Sequence, residues 1–183
     1  MKLFTRTTLL AVALFAASFN AQSTIIGGPV YNPATGHNYY LTGAGNWTDS
    51  QAFALTLGGN LVTINDVAEN TWLNQSFMVP NPTVIPWFGL HDMDANNIWE
   101  WISGESVTYL NWAPGEPNFL GIGHDYGNLF AQDSGKIGQW NNAPNLGTIY
   151  AIVEVPEPSA LTLGTLALFG CAVRNCRSRQ ATV

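Results

Sequence analysis

Hydrophobic and polar positions along this chain divide it into an early part with helical spacing and a later part written in short strands. His37–Leu41 is a short apolar-polar run that predicts a first strand after a Gly- and Pro-rich lead-in over 24–37. Thr48 with Gln51 three residues on forms a capping box ahead of Phe53–Leu57, and Gly58-Gly59 stops that helix. Leu61–Ile64 reads as a strand. Asp66 with Glu69 opens a second helix, in which Ala68/Trp72 and Leu73/Phe77 lie four apart on shared faces, and Pro80-Asn81-Pro82 ends it. From Trp87 onward the period changes. Trp87–Asp92, Ile98–Ser103 and Thr148–Val155 predict strands, whereas 111–144 carries little regular signal. Two early helices and a β-rich, loop-rich second half make the fold class α+β.

The two ends carry patterns of another kind. Residues 1–21 place Lys2 and Arg6 before an apolar run from Leu9 to Phe19 and then small residues, the layout of a signal peptide. Val155-Pro156-Glu157-Pro158-Ser159 precedes an apolar run from Ala160 to Val173, then Arg174, Arg177 and Arg179. At about 1.5 Å per residue that run covers roughly 21 Å, short of the ~30 Å hydrocarbon core. The arginines favour a cytoplasmic C-terminus. Residues 22–38 are a lead-in and 39–155 are left as one compact domain. Only 10% of the 183 residues are charged and the formal net charge is −6, with no basic patch before the tail, so nucleic acid is excluded as a partner. Cys171 and Cys176, the only cysteines, both fall in the tail, so the domain has no disulfide.

The candidate chemistry lies in Gly115–Leu129, GEPNFLGIGHDYGNL. Long loops inside compact domains are usually functional. Glu116 and Asn118, with Asn141 and Asn142 further on, offer hard oxygen donors that suit Ca²⁺, and Pro117 helps hold its neighbours in place. Asp92-Met93-Asp94 starts like an EF-hand, but Asn97 and Ser103 occupy the required Gly and Glu positions. His91-Asp92, His124-Asp125 and the scattered glutamates suggest acid–base work only weakly. No nucleophile motif accompanies them, so the chain does not read as an enzyme.

Several of these stretches form an ordered series: Trp87-Phe88-Gly89-Leu90, Trp99-Glu100-Trp101, Glu116-Pro117-Asn118 and Trp140-Asn141-Asn142, preceded by LGGNLVTI at 57–64. Together they resemble the C-type lectin-like domain, from about Tyr39 to Glu154. The resemblance implies a lectin-type fold of two helices and short antiparallel strands with a long ligand loop. It also implies carbohydrate or exopolysaccharide binding of mannose or glucose type at Glu116, Asn118, Asn141 and Asn142. A weak Ca²⁺ site would use these four and Asp125, with a cis bond before Pro117 and an auxiliary Ca²⁺ site at Asp92, Asp94 and Asp125. Three departures stand against a strong metal site. His124 replaces a glutamate, Asn142 replaces an aspartate, and the family's two disulfides would fall near Ala54/Val153 and Tyr126/Asn145, where no cysteine stands. The alternative is a Ca²⁺-independent interaction domain of the extracellular matrix with a degenerate sugar site. The tryptophans read first as core aromatics and only second as sugar platforms. The C-terminal pattern resembles the PEP-CTERM sorting signal over 156–183. That implies export to the surface, outer membrane or matrix of a Gram-negative bacterium, with a transient membrane anchor through the hydrophobic segment before processing.

Overall fold

The computed structural model describes residues 24–94, 97–118 and 125–157. The signal-like and sorting-like ends and His124 lie outside the described residues. Strands β1 (Ile25–Asn32), β2 (His37–Gly45), β3 (Asn60–Leu61), β4 (Pro86–Asp92), β5 (Glu100–Trp101), β6 (Asp125–Leu129), β7 (Trp140–Pro144) and β8 (Ile149–Pro156) form one sheet. Its order is β1-β2-β8-β4-β6-β7, with β3 on β8 and β5 on β4. All pairings are antiparallel except β4 on β8. Helices α1 (Trp47–Thr56) and α2 (Val67–Leu73) pack on this sheet, and a wider π-type turn, Asn74–Met78, extends α2.

Three expectations change here. The lead-in is a strand: β1 pairs with β2, so the chain is committed to the sheet before His37. The α1 cap is Asn46, whose side chain accepts from the Asp49 amide at 2.8 Å, and not Thr48. Gln51 is therefore free to turn inward, where it accepts from Leu61 N at 2.9 Å and donates to Asn60 Oδ1 at 2.8 Å. The weakly patterned 111–144 stretch contains β6 and β7. Every residue of β6, Asp125-Tyr126-Gly127-Asn128-Leu129, is buried, so it has no polar outer face to generate alternation. Gly127 is required because an added Cβ would lie 2.5 Å from the Phe88 ring. The second helix starts as expected, with Asp66 accepting from Glu69 N at 2.8 Å.

The central strand β8 reads Ala151-Ile152-Val153, all fully buried. Its residues alternate between faces, so Ile152 joins the core of Tyr39, Leu73, Phe88, Trp101 and Trp140, while Ala151 and Val153 join Trp47, Ala54, Leu61, Trp87 and Tyr126. Trp47 Nε1 donates to Phe88 O at 2.8 Å and Trp87 Nε1 to Gly45 O at 3.0 Å, which satisfies both indoles inside the second cluster. Among the described residues no helix is long and apolar enough to cross a membrane.

Candidate functional site

Strand β7 decides where the EPN loop sits, and Trp140 decides where β7 sits. Trp140 Nε1 donates to Asn70 Oδ1 of α2 at 2.8 Å, and Asn70 Nδ2 donates to Gly138 O at 2.9 Å. Asn111 Nδ2 bonds the same carbonyl at 2.7 Å, while Trp140 N donates to Asn111 O and Ala113 N to Trp140 O. The segment leading into Glu116 is thus sewn to β7 before the loop begins. Asn70 and Asn111 are positioning residues that sequence reasoning missed. Their signal was faint, since an asparagine on the core side of a helix only gains meaning once its partner is known.

The Glu116–Pro117 bond is cis. Asn118 N donates to Asn142 Oδ1 at 2.8 Å and to Glu116 Oε2 at 3.1 Å, and Asn142 Nδ2 donates back to Asn118 O at 2.7 Å. Asn142 is 2% exposed. Its carboxamide therefore clasps the backbone of Asn118 from both sides, and the fold brings Glu116, Asn118 and Asn142 together. Glu116 is half-buried and Asn118 exposed, and among the described residues Glu116 Oε1 and the Asn118 carboxamide have no protein partner. Asn141 is not part of this group. Consecutive strand residues face opposite ways, and Asn141 Nδ2 instead approaches Asn128 Oδ1 on β6 at 3.4 Å.

Asp125 begins β6 opposite Asp92 of β4 and Pro144 of β7. Burial pushes its carboxyl up, the Asn142 amide pulls it back, and the Asp92 charge adds to the rise. Its Oδ1 is buried without a partner among the described residues. Asp92 accepts from Asn97 N at 2.9 Å. His91 is buried against the Trp47 ring at 5.5 Å, and burial lowers its titration from the ordinary imidazole value.

Calcium is the ion this donor set implies, and among the described residues the side chains do not fit it as a closed cage. The Asn142 carboxamide holds the Asn118 backbone, Asn141 is turned to Asn128, and burial raises the Asp125 carboxyl from its ordinary value. Among the described residues the oxygens left without a protein partner are Glu116 Oε1, that of the Asn118 amide and the buried Asp125 Oδ1, against the 6–8 oxygens Ca²⁺ takes. Among the described residues no three of His, Cys, Asp and Glu converge.

The two positions where a disulfide was implied are filled differently. Ala54 and Val153 lie in one fully buried cluster. Tyr126 packs its ring on Trp47 at 4.6 Å, while Asn145 ties the end of β7 to the start of α1: Thr48 N donates to Asn145 Oδ1 at 3.2 Å and Asn145 Nδ2 to Thr48 Oγ1 at 2.9 Å. Ring packing and a two-bond amide clip thus stand at the base of the long loop. Of the tryptophans, Trp87 and Trp101 are core, whereas Trp99 and Trp112 are half-buried and pack on each other at 4.7 Å.

Residues 44–145 match the family model described as Lectin C-type domain. The chain is 38% identical over 74 residues to C-type lectin lectoxin-Phi2 of Philodryas olfersii, covering 39% of this chain and 47% of that protein. It spans less than half the length of the curated relatives it matches. Among solved structures, it superposes on the human scavenger receptor C-type lectin carbohydrate-recognition domain with a TM-score of 0.61 and 26% identity, covering 72% of this chain and 99% of that one. A second match is the cow C-type carbohydrate-recognition domain of CD23, solved in the presence of GlcNAc2Man3 oligosaccharide, with a TM-score of 0.57 and 26% identity over 67% of this chain and 90% of that one.

Proposed function

Because the chain belongs to the C-type lectin domain family, we propose that it is a carbohydrate-binding module whose Glu116-Pro117-Asn118 edge recognises mannose- or glucose-type sugars. Domains of this family are typically non-enzymatic binding modules and commonly bind Ca²⁺. One observation carries the reading. The Asn142 clasp bonds the Asn118 backbone, and among the described residues Glu116 Oε1 and the Asn118 carboxamide have no protein partner, an acceptor and a donor–acceptor group two residues apart. Two vicinal sugar hydroxyls can give a proton to the carboxylate and exchange bonds with the amide. The clasp does the positioning that a metal would otherwise do, so calcium binds weakly, at about 10⁻³ M or above, and is dispensable for recognition.

The end patterns set the context of this proposal. The stretch 1–21 acts as an export signal and 156–183 as a sorting tail, delivering the domain over 39–155 to the cell surface or matrix, where a glycan or exopolysaccharide is the partner. Intact mass of the secreted protein tests this, and a mature species retaining Arg174 to Arg179 would refute the sorting step.

A glycan array with calcium and with chelator tests the site. Mannose- or glucose-type binding should persist in chelator and be lost in Glu116→Gln. Binding that survives Glu116→Gln and is not competed by free monosaccharide would instead favour a protein-interaction domain. The Asn142 carboxamide's hold on the Asn118 backbone is equally compatible with that second reading.

A further inference from the structure

A second surface of the domain, lined by residues other than those of the Glu116 edge, has the makings of a polymer site. One hollow of about 440 Å³ is walled by Thr35, Asn65, Asp66, Glu69 and Trp72. Another of about 450 Å³ is walled by Trp99, Glu100, Trp101, Glu105 and Val107. Both fall within the ~300–1,000 Å³ range of small-ligand sites. They abut: Asn65 of the first donates through Nδ2 to Glu105 Oε2 of the second at 2.8 Å, and Thr108 Oγ1 donates to Asn65 O at 3.5 Å. Tyr109 lies by this junction, close enough to Asp66 to feel its charge.

The aromatic walls are rigid because other rings back them. Trp72 packs edge-on against the buried Tyr39 at 4.9 Å, Trp99 against Trp112 at 4.7 Å, and Tyr109 against Trp140 at 5.5 Å. All three are half-buried, so each keeps part of its ring at the surface. The exposed carboxylates Asp66, Glu100 and Glu105 line the same two hollows. Cations that could neutralise these are scarce. The stretch 24–157 holds all 12 carboxylates and a single lysine, a formal charge of −11, and that lysine, Lys136, sits over the Phe130 ring at 4.2 Å. Anionic polymers are repelled by such a surface. Ring faces alternating with acceptor-only oxygens suit a ligand with apolar faces and hydroxyl donors along its length.

We propose that this face binds a linear neutral polysaccharide, with one sugar ring on Trp72 and another on Trp99, and Asp66, Glu100 and Glu105 accepting from the hydroxyls between them. The inference rests on the carbohydrate reading but not on the Glu116 edge, and the two fail separately.

Calorimetry with mannose, a mannohexaose, cellohexaose and a chitosan hexamer, in chelator, on the full chain tests it. At least one neutral hexasaccharide should bind the wild type about tenfold or more tighter than mannose, a difference of about 1.4 kcal/mol. Trp72→Ala, Trp99→Ala and Glu100→Arg should each remove that gain while leaving mannose binding intact. Glu116→Gln should do the reverse, losing mannose and keeping the hexasaccharide. Glu100 is exposed, so its variant decides the matter where a tryptophan variant fails to fold. Hexasaccharide affinity unchanged in Glu100→Arg and Trp99→Ala, binding confined to the cationic chitosan hexamer, or no gain of any hexasaccharide over mannose would each overturn the second site. Mannose binding untouched by Glu116→Gln would overturn the first site alone.

Discussion

Asn142→Asp is the most revealing single substitution, because it removes one atom pair from the clasp and inserts a buried charge. The aspartate retains an oxygen for the Asn118 amide, now bonded at 2.8 Å, but replaces the Nδ2 donor with an oxygen facing Asn118 O, 2.7 Å away. Leaving that carbonyl unsatisfied costs about 1–3 kcal/mol. The new carboxylate is nearly inaccessible and lies beside Asp125, so burial and like charge raise its folded titration above the ordinary ~3.9. The sign follows. Below about pH 4 the side chain is protonated in both states, and its O–H can donate to Asn118 O, restoring both bonds. As pH rises through the raised folded value, the unfolded state sheds its proton first and stability is lost, about 1.4 kcal/mol for each pH unit between the two titrations. We expect a penalty of about 3 kcal/mol at pH 7, roughly 10 °C in Tm for a domain of this size, shrinking below about 1 kcal/mol at pH 4. Urea titrations of both proteins at pH 4, 5, 6 and 7 measure this, with amide exchange at Asn118 as the local probe. Asn142→Leu, which adds no titrating group but removes the amide that lowers the Asp125 titration, should lose stability as pH rises only through Asp125, a weaker pH dependence than that of Asn142→Asp. A variant as stable as wild type at pH 7 in chelator, or a penalty equal at pH 4 and 7, would refute the clasp.

Two further outcomes follow from the core. Tyr39 Oη lies 2.9–3.0 Å from Glu69 Oε1, Glu154 Oε1 and Thr35 Oγ1, more acceptors than one hydroxyl proton can serve, and burial pushes the Glu69 carboxyl up. Stability held by protonated Glu69 is full below its ordinary value near 4.5 and lost as pH rises through the folded value. Glu69→Gln, which keeps an acceptor for Asn65 N, should therefore flatten the stability profile between pH 4.5 and 7 in urea titrations; an unchanged slope would count against a buried shared proton. Gly127→Ala would place a methyl 2.5 Å from the Phe88 ring and should destabilise the domain by about 1–3 kcal/mol, read as a shift in the denaturation midpoint without a change in m-value.

The sequence by itself determined the elements whose signals are local. The Asp66 cap, the Gly58-Gly59 stop and the buried run Ala151-Ile152-Val153 each depend on neighbours within a few residues, and each stands where the pattern put it. The ordered tryptophan and EPN motifs were also legible, because their spacing along the chain survives without knowledge of contacts. What only the tertiary structure decided depends on partners far apart in sequence. Strand β6 lies between β4 and β7 in the sheet and every one of its residues is buried, so its Asp, Gly and Asn carry no period to read. Asn142 reads as an oxygen donor by residue type, and only the fold shows that its carboxamide holds the backbone of Asn118, 24 positions earlier. Tyr126 and Asn145 stand where the resemblance implies a disulfide, and only the fold shows that α1 gives Asn145 a hydrogen-bonded partner in Thr48 and Tyr126 a ring in Trp47. A polar side chain has only a few donors and acceptors, so its role is settled by which distant group reaches them first, and that is a property of the fold rather than of the residue.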